Sequence, residues 1–412
     1  MEHGKRSRIL PHAFTTLMNV LIINQGEIFG GAELFALDLL RALPKGKVEV
    51  IHVCSKNAHP SYMEQTRGIP FLHTHQIWLG KISPRNPFSL FHALGAVHTL
   101  RGIVKNHAVD VIQCNTARTQ VLGALLARKI SIPQVWVMHD FTFPKKLWKK
   151  WYHIPSRIIC VSQEVKQYYE DLLGQSLVRA EVIPNGVDVE MYENATVPKM
   201  LQDAQGKELK LHDQVRYIGI IGRIDTWKGQ DIFIEAAHIL NTEYPQHRHL
   251  HFIIAGEVTK TSVEREEYFQ KLQETVKHYE LNNVSFLDFV PARQLLPTLS
   301  ILVHASTQPE PFGRTIIEAW AAGIPVVASN IGAPVDMIHY GQTGLLVEPK
   351  NPRDLAQKIS LLLEDAHLRD QLIRQSKKLV KSQYSLNAVV DRYLEEWGLM
   401  KNLPKSMKKR GK

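Results

Sequence analysis

Two doubly wound α/β domains, each carrying a parallel sheet with helices on both faces, are predicted by three features of this chain. Its 412 residues exceed what one hydrophobic core usually serves and suggest two domains of about 150–200 residues. Strand-like and helix-like segments alternate in two separate series. Each series places a glycine-bearing turn directly behind its first strand. Domains of this kind face each other across a cleft at the carboxyl ends of their strands, and a ligand site is expected there.

The first series opens with the apolar strand 19–23, the turn Gln25-Gly26-Glu27-Ile28-Phe29-Gly30-Gly31 and a helix over 32–40. Strands follow at 48–54, 109–114, 134–138 and 157–161, with helices over 120–128 and 163–173. Val182–Asp188 ends this series in a turn, and the polar stretch 191–213 reads as irregular linker. The second series has strands at 216–221, 251–255, 284–287, 301–304 and 325–328, with helices over 231–240, 263–279, 314–322, 355–363 and 366–384. The expected division is a basic extension 1–17, a first domain 18–188, a second domain 189–384, a helix 385–400 packing back on the first domain, and a basic tail 401–412. Met1–Arg8 is basic and Ile9–Met18 mildly apolar, which superficially resembles a signal sequence. No small-residue cleavage site precedes the first strand, so either residues 1–17 are an extension or Met18 is the start.

Composition excludes several classes. With 44% apolar and 22% charged residues, 24 Gly and 21 Pro, the chain is neither collagenous nor broadly disordered. Its three cysteines, Cys54, Cys114 and Cys160, share no pair spacing, which argues against a disulfide scaffold and for a reducing, cytoplasmic setting. No apolar run reaches the roughly 20 residues of a membrane span. The formal charge of +10 is uneven: residues 1–190 balance at +8 and residues 191–400 at −4. A basic front half suggests an anionic partner, for which membrane phospholipid, an anionic acceptor or nucleic acid would each fit.

Gly30-Gly31-Ala32-Glu33 joins a strand to a helix, where glycine allows close backbone approach and the helix N-terminus favours negative charge. A merely structural tight turn is the competing reading. Arg223 and Lys228, five apart in the next glycine-bearing loop, could close on one diphosphate, the Arg through its fork and the Lys as a point charge. Two solvated loop cations are the alternative. Pro309-Glu310-Pro311-Phe312-Gly313-Arg314-Thr315-Ile316-Ile317-Glu318 sets two carboxylates around a helix start, and carboxylates accept well from sugar hydroxyls. His139-Asp140 follows the strand 134–138 and so lies at a cleft-facing strand end; a structural histidine is the competing reading. The alternating His247, His249 and His251 have no Cys, Asp or Glu close by and are read as solvated edge residues, so no metal site is expected.

These segments, in this order, resemble a retaining nucleotide-sugar glycosyltransferase of the family 4 type, with the GT-B fold of two Rossmann-like domains. Glu310 to Glu318 resembles that family's E-x7-E motif, and Ala319-Trp320-Ala321-Ala322-Gly323-Ile324-Pro325-Val326-Val327-Ala328 continues the match. Gly30-Gly31-Ala32-Glu33, His139-Asp140, Pro184-Asn185-Gly186-Val187-Asp188, the Gly222–Gly229 loop and Gly344-Leu345-Leu346-Val347 fall in family order. Asp336 stands where the family commonly has Glu, and Arg314 where it is more often apolar.

The resemblance implies an acceptor-side first domain and a second domain that binds the nucleotide sugar. Glu318 would take the ribose hydroxyls, Glu310 the donor sugar, and Arg223 and Lys228 the diphosphate. His139 would stand near the reacting carbon, with Gly30 and Gly31 approaching from the first domain. Backbone near Phe289 and Val290 would hold the base, and Phe312, Gly313, Arg314 and Thr315 would line the donor. No metal and no cofactor is implied beyond a UDP- or GDP-linked donor, which is a substrate. The acceptor would be a sugar, lipid-linked or small-molecule hydroxyl, as in glycolipid, polysaccharide or cell-envelope glycan synthesis. A nucleotide-sugar epimerase is the alternative enzyme, and a non-catalytic polyanion-binding protein the alternative of another class. No nucleic-acid reading module is visible. Phe141–Tyr152, with four lysines and five aromatic residues, suggests docking on an anionic membrane surface; the competing reading packs Trp148, Trp151 and Tyr152 inside and leaves only the lysines in water. Ile77-Trp78-Leu79 and Pro87-Phe88-Ser89-Leu90-Phe91 would add an apolar rim or else belong to the core.

Overall fold

The computed structural model describes residues 17–27, 30–69, 72–81, 86–202, 206, 208–212, 214–247, 249–257 and 262–403. Residues 1–16 of the extension, Ile28 and Phe29 of the first glycine turn, and the tail beyond Leu403 lie outside the described residues. The chain forms two compact units.

The first unit holds seven parallel strands: β1 (Met18–Ile23), β2 (Val48–Ser55), β3 (His73–Ile77), β4 (Val111–Cys114), β5 (Gln134–Met138), β6 (Arg157–Cys160) and β7 (Ala180–Val182). Their order is β3-β2-β1-β4-β5-β6-β7. Helices on both faces bury the central strands, which is why β1 and β5 read as continuous apolar runs. β3 has no such run. His-Thr-His-Gln-Ile forms the edge of the sheet against β2 alone, and only Ile77 of it is buried. Helix Leu386–Lys401 belongs to this unit from Val389 onward. Its Trp397 is fully buried and donates from Nε1 to Gln113 Oε1 at 2.9 Å, and Glu396 takes Arg157 through two contacts of 2.5 and 2.8 Å.

Lysines 145, 146, 149 and 150 take one side of helix Lys145–Trp151 and face water, while Trp148 takes the other. Trp148 is fully buried, 4.6 Å from the Tyr169 ring, and donates from Nε1 to Tyr169 O at 3.1 Å; Phe143 packs beside it. Those two aromatics are therefore core, which corrects the expectation that the whole segment presents an aromatic surface.

The second unit takes in residues 162–164 and 184–388, so its main stretch opens before residue 189; Val187 donates its N–H to Tyr384 O at 2.8 Å and bridges Ser385. The stretch expected to be irregular contains helix Val189–Glu193 and an antiparallel hairpin, β8 (Met200–Gln202) with β9 (Glu208–Lys210). The main sheet is parallel: β10 (Arg216–Ile221), β11 (Leu250–Ala255), β12 (Val284–Leu287), β13 (Leu299–His304), β14 (Val326–Ser329) and β15 (Leu345–Val347), in the order β12-β11-β10-β13-β14-β15. His247 and His251 are not a solvated strand face. His247 lies in a 3-10 turn against Ser360 Oγ at 2.9 Å, and His251 bonds Ser285 Oγ at 2.9 Å.

In both sheets the chain reverses its winding beside the first strand. The crevice beyond the carboxyl ends of the two strands at that switch is where an open α/β sheet takes its ligand. In the first unit these strands are β1 and β4, and in the second β10 and β13.

Candidate active site

In the second unit the loops after β10 and β13 meet. Gly229 ends the first of them with φ +72°, and a Cβ there would lie 1.9 Å from Ala305 O, so only glycine lets the backbones come this close. The contact brings Lys228 to Glu310: Nζ stands 2.5 Å from Oε1 and 4.1 Å from the Trp227 ring centre. Glu310 Oε2 accepts from Ser306 Oγ at 2.7 Å, and His304 Nε2 lies 2.8 Å from that same oxygen. Burial would raise the Glu310 carboxyl, but the Lys228 ammonium and the His304 ring beside it outweigh burial and hold the group well below its ordinary range. Gly332, at φ +69°, packs against the Glu310 backbone, where an added Cβ would come 2.4 Å from its nitrogen. Ala333 N–H donates to Glu310 O at 3.0 Å.

Arg223 enters the same loop from the end of β10. Its Nε is 3.8 Å from Asp225 Oδ2, the oxygen that also takes Arg265 Nε at 2.9 Å. Burial and the neighbouring Arg265 lower the Arg223 pKa. Two guanidiniums thus share one buried carboxylate, and Arg223 remains partly open to solvent.

Gly313, at φ +96°, starts helix Arg314–Ala322. Arg314 Nε donates to Glu318 Oε1 at 2.7 Å, one turn along and largely buried. Phe312 is buried and Thr315 half-buried. Val290 lies beyond the end of the edge strand β12, two strands from β10, beside exposed Phe289.

The first unit supplies a separate set. Gly30 caps helix Gly31–Ala42, and its N–H donates to Glu33 Oε2 at 3.3 Å. Gly30 is extended, and among the described residues an added Cβ would meet Glu33 Oε2 at 3.7 Å, an ordinary contact, so its backbone conformation does not require glycine. Burial raises the Glu33 carboxyl to about 7, and Asp140 adds to the rise. His139 follows β5 with its ring 6.2 Å from that of Phe35. Burial lowers its pKa to about 4, so the imidazole is neutral, and Nδ1 is enclosed with no hydrogen-bond partner among the described residues.

Lys228, Glu310 and, through Asp225, Arg223 are therefore joined within one unit; Arg314 and Glu318 form their own pair; Gly30, Gly31 and His139 stand in the other unit. Sequence reading did not single out His304, Ser306, Asp225 or Arg265, and it gave Glu33 no role beyond its place in the Gly30–Glu33 turn. The criterion that selected His139, a histidine at the carboxyl end of a parallel strand, also selects His304, which ends the apolar run of β13. Among the described residues no cluster of three His, Cys, Asp or Glu side chains is arranged to hold a metal ion.

Comparison with known proteins fits this arrangement. The family model for glycosyl transferases group 1 matches residues 202–379, and the model for glycosyltransferase family 4 matches residues 29–191. The chain belongs to the group 1, family 4 glycosyltransferases. The spore coat protein SA of Bacillus subtilis (strain 168) is 25% identical to this glycosyltransferase-family chain over 249 residues, 58% of the chain and 64% of the relative. The D-inositol 3-phosphate glycosyltransferase of Corynebacterium glutamicum (strain R) is 28% identical over 193 residues, 46% of the chain and 45% of the relative. The chain thus spans less than two thirds of the length of these two curated relatives. Among solved structures, Anabaena HepE in complex with UDP and glucose aligns with a TM-score of 0.75 at 22% identity, over 93% of this chain and all of that one. A glycosyltransferase from Rickettsia africae ESF-5 aligns with a TM-score of 0.78 at 21% identity, over 94% and 99%. The fold of this family member is GT-B, with two Rossmann-like parallel-sheet domains.

Proposed function

We propose that the chain transfers a sugar from a UDP- or GDP-linked donor to a hydroxyl acceptor, with retention at the anomeric carbon and without a metal. The observation that carries this reading is the Lys228–Glu310 pair at the switch point of the second sheet, with Arg223 held on Asp225 in the same loop as Lys228. A structural neighbour of the same fold has been solved with UDP and glucose, which supports a nucleotide-sugar donor.

In this reading Arg223 and Lys228 neutralise the diphosphate. As the bond between the anomeric carbon and the phosphate oxygen breaks, its electron pair passes to the diphosphate, so these cations act most strongly in the transition state. The acceptor oxygen bonds to that carbon on the face the diphosphate leaves, and its proton passes to the departing phosphate oxygen. Glu310 takes a donor-sugar hydroxyl and Glu318 the ribose. Backbone near Val290 takes the base, and Phe312, Gly313, Arg314 and Thr315 line the donor. His139 and the Gly30–Gly31 turn serve the sugar and acceptor from the first unit. Incubation with a panel of nucleotide sugars and acceptors, read by mass spectrometry and proton NMR, tests this. A product whose anomeric configuration matches the donor is expected. An inverted product overturns retention, and an epimerised nucleotide sugar formed without acceptor overturns transfer.

For the acceptor side we propose an anionic membrane surface in a cytoplasmic setting; Ile77 and Leu79 of the expected rim are buried, as is Trp148 of the lysine-rich segment, and the exposed side chains of helix Pro87–Asn106 support that helix as the contact. Phe88 and Phe91 are each 73% exposed there, with Leu90 and Leu94 more than half exposed. Residues 65–109 contain no Asp or Glu but do contain Arg67, Lys81, Arg85, Arg101 and Lys105. Exposed apolar side chains set in an acid-free segment suit lipid head groups. Among the described residues no helix is long and apolar enough to cross a membrane.

A further inference from the structure

His304 is almost fully enclosed at the end of β13. Its Nε2 is 2.8 Å from Glu310 Oε2, at ion-pair distance but out of line for a hydrogen bond. Neither ring nitrogen has a hydrogen-bond partner among the described residues. Among the described residues, Glu310 is the charged group that faces it directly; Lys228 stands on the other oxygen of that carboxylate, and the charge of Arg223 acts on Glu310 as well. Helix Arg314–Ala322 packs on β13 with Arg314 and Glu318 neutralising each other, and β14 offers only Ala328 opposite. One carboxylate therefore has one fixed cation in direct contact, Lys228, and one further neighbour, His304, whose charge depends on a proton.

An incoming diphosphate competes for Lys228. If the ammonium turns to the phosphate, Glu310 is left as a buried carboxylate without its cation, which is strongly unfavourable. A proton on the imidazole restores the balance without moving any heavy atom. We propose that His304 takes up a proton when a nucleoside-diphosphate sugar draws Lys228 away from Glu310, so that donor binding is coupled to proton uptake at this residue. The inference rests on the reading of Lys228 as a diphosphate ligand. It makes His304 a positioning residue that keeps Glu310 ionised, with Ser306 fixing the same oxygen.

The experiment is calorimetric titration of UDP-glucose or GDP-mannose into the full chain near pH 7.5, in buffers of different ionisation heat. A nucleotide sugar carries no phosphate group that titrates near neutrality, so the protons counted come from the protein. The wild type should take up between about half and one proton per donor bound. Its affinity should fall by up to about tenfold per pH unit as the pH is raised, the slope that one linked proton imposes. H304Q should bind the donor with uptake close to zero and a flat pH profile. An unchanged proton count in H304Q overturns the inference, since the proton then sits elsewhere, Glu310 included. Failure of the wild type to bind either donor counts instead against the functional reading. Should H304Q not fold, histidine NMR of the wild type reads the same event: one imidazole must shift to the imidazolium position on donor addition, and no such shift overturns the proposal.

Discussion

Lys228 and Glu310 stand 2.5 Å apart, each held by a different loop of the same parallel sheet. The pair gives the second unit an ionised carboxylate and a localised positive charge at one strand end, and it couples the two positions energetically, so a change at either is felt by the other.

Lys228→Ala should therefore act twice. It should lower kcat by roughly 10²–10³ through loss of transition-state charge stabilisation, and it should lower Tm because Glu310 is stranded. Arg223→Ala, whose side chain is partly open and leaves Arg265 on Asp225, should lower kcat with little change in Tm. Steady-state kinetics and thermal unfolding separate the two. An Arg223→Ala enzyme of full activity would remove that residue from the site.

Glu318→Ala should weaken nucleotide binding by roughly 10- to 150-fold, the equivalent of about 1.5–3 kcal/mol for a charged hydrogen-bond acceptor. Calorimetry with UDP and with GDP measures this and identifies the base at the same time. Arg314→Ala should weaken binding less and destabilise more, because it leaves the buried Glu318 carboxylate with one partner fewer. Unchanged affinity of Glu318→Ala for the preferred nucleotide would exclude it from ribose recognition.

Two buried groups give the fold opposite pH dependences. His52 is fully enclosed, and burial lowers its pKa from 6.5 to about 4. Between those values the unfolded chain carries a proton that the folded chain lacks, so stability rises with pH across that window and about 3 kcal/mol is lost on acidification through it. Glu33 runs the other way. Its folded pKa is raised from 4.5 to about 7, so the folded chain holds the extra proton and stability falls as pH rises through that range. Thermal scans from about pH 4 to about pH 8 should show a shallower acid limb in His52→Gln. Glu33→Gln should raise Tm near pH 8 and change it little near pH 4. A Glu33→Gln curve parallel to wild type would show that the carboxyl titrates alike in the folded and unfolded chain.

On the membrane side, wild type should float with anionic vesicles and less with neutral ones, the difference fading at high salt. Phe88→Ser with Phe91→Ser should abolish flotation, and both side chains are exposed enough that Tm should hold. Gln at positions 145, 146, 149 and 150 should reduce only the salt-sensitive part. Undiminished flotation of the Phe double variant would free helix Pro87–Asn106 of this role.

The parallel strands were legible because burial on both faces writes them as unbroken apolar runs, as in Val20–Ile23 and Val135–Met138. β3 was not, since an edge strand with the sequence His-Thr-His-Gln-Ile carries no period to read. The loop cations and the carboxylate pair were visible from residue type and spacing. Their partners were not: that Asp225 gathers Arg223 and Arg265, or that His304 leans on Glu310, depends on which strands become neighbours, and β10 meets β13 only after two intervening strands have been laid aside. Trp148 looked like a surface aromatic because four lysines surround it in sequence, yet helical geometry turns it to the opposite side.

Helix Leu386–Lys401 has a consequence for biosynthesis. The unit that begins first along the chain also owns residues 389 onward, with Trp397 enclosed against Gln113 and Glu396 clasping Arg157. As the polypeptide emerges from the ribosome, the second unit, 162–164 with 184–388, has all its parts before its predecessor does. The earlier one must wait with an open seam along β4 and β6 until the last helix is delivered. Nascent chains halted near residue 385 should therefore expose that seam to chaperones and proteases, although every strand of both sheets has already been made.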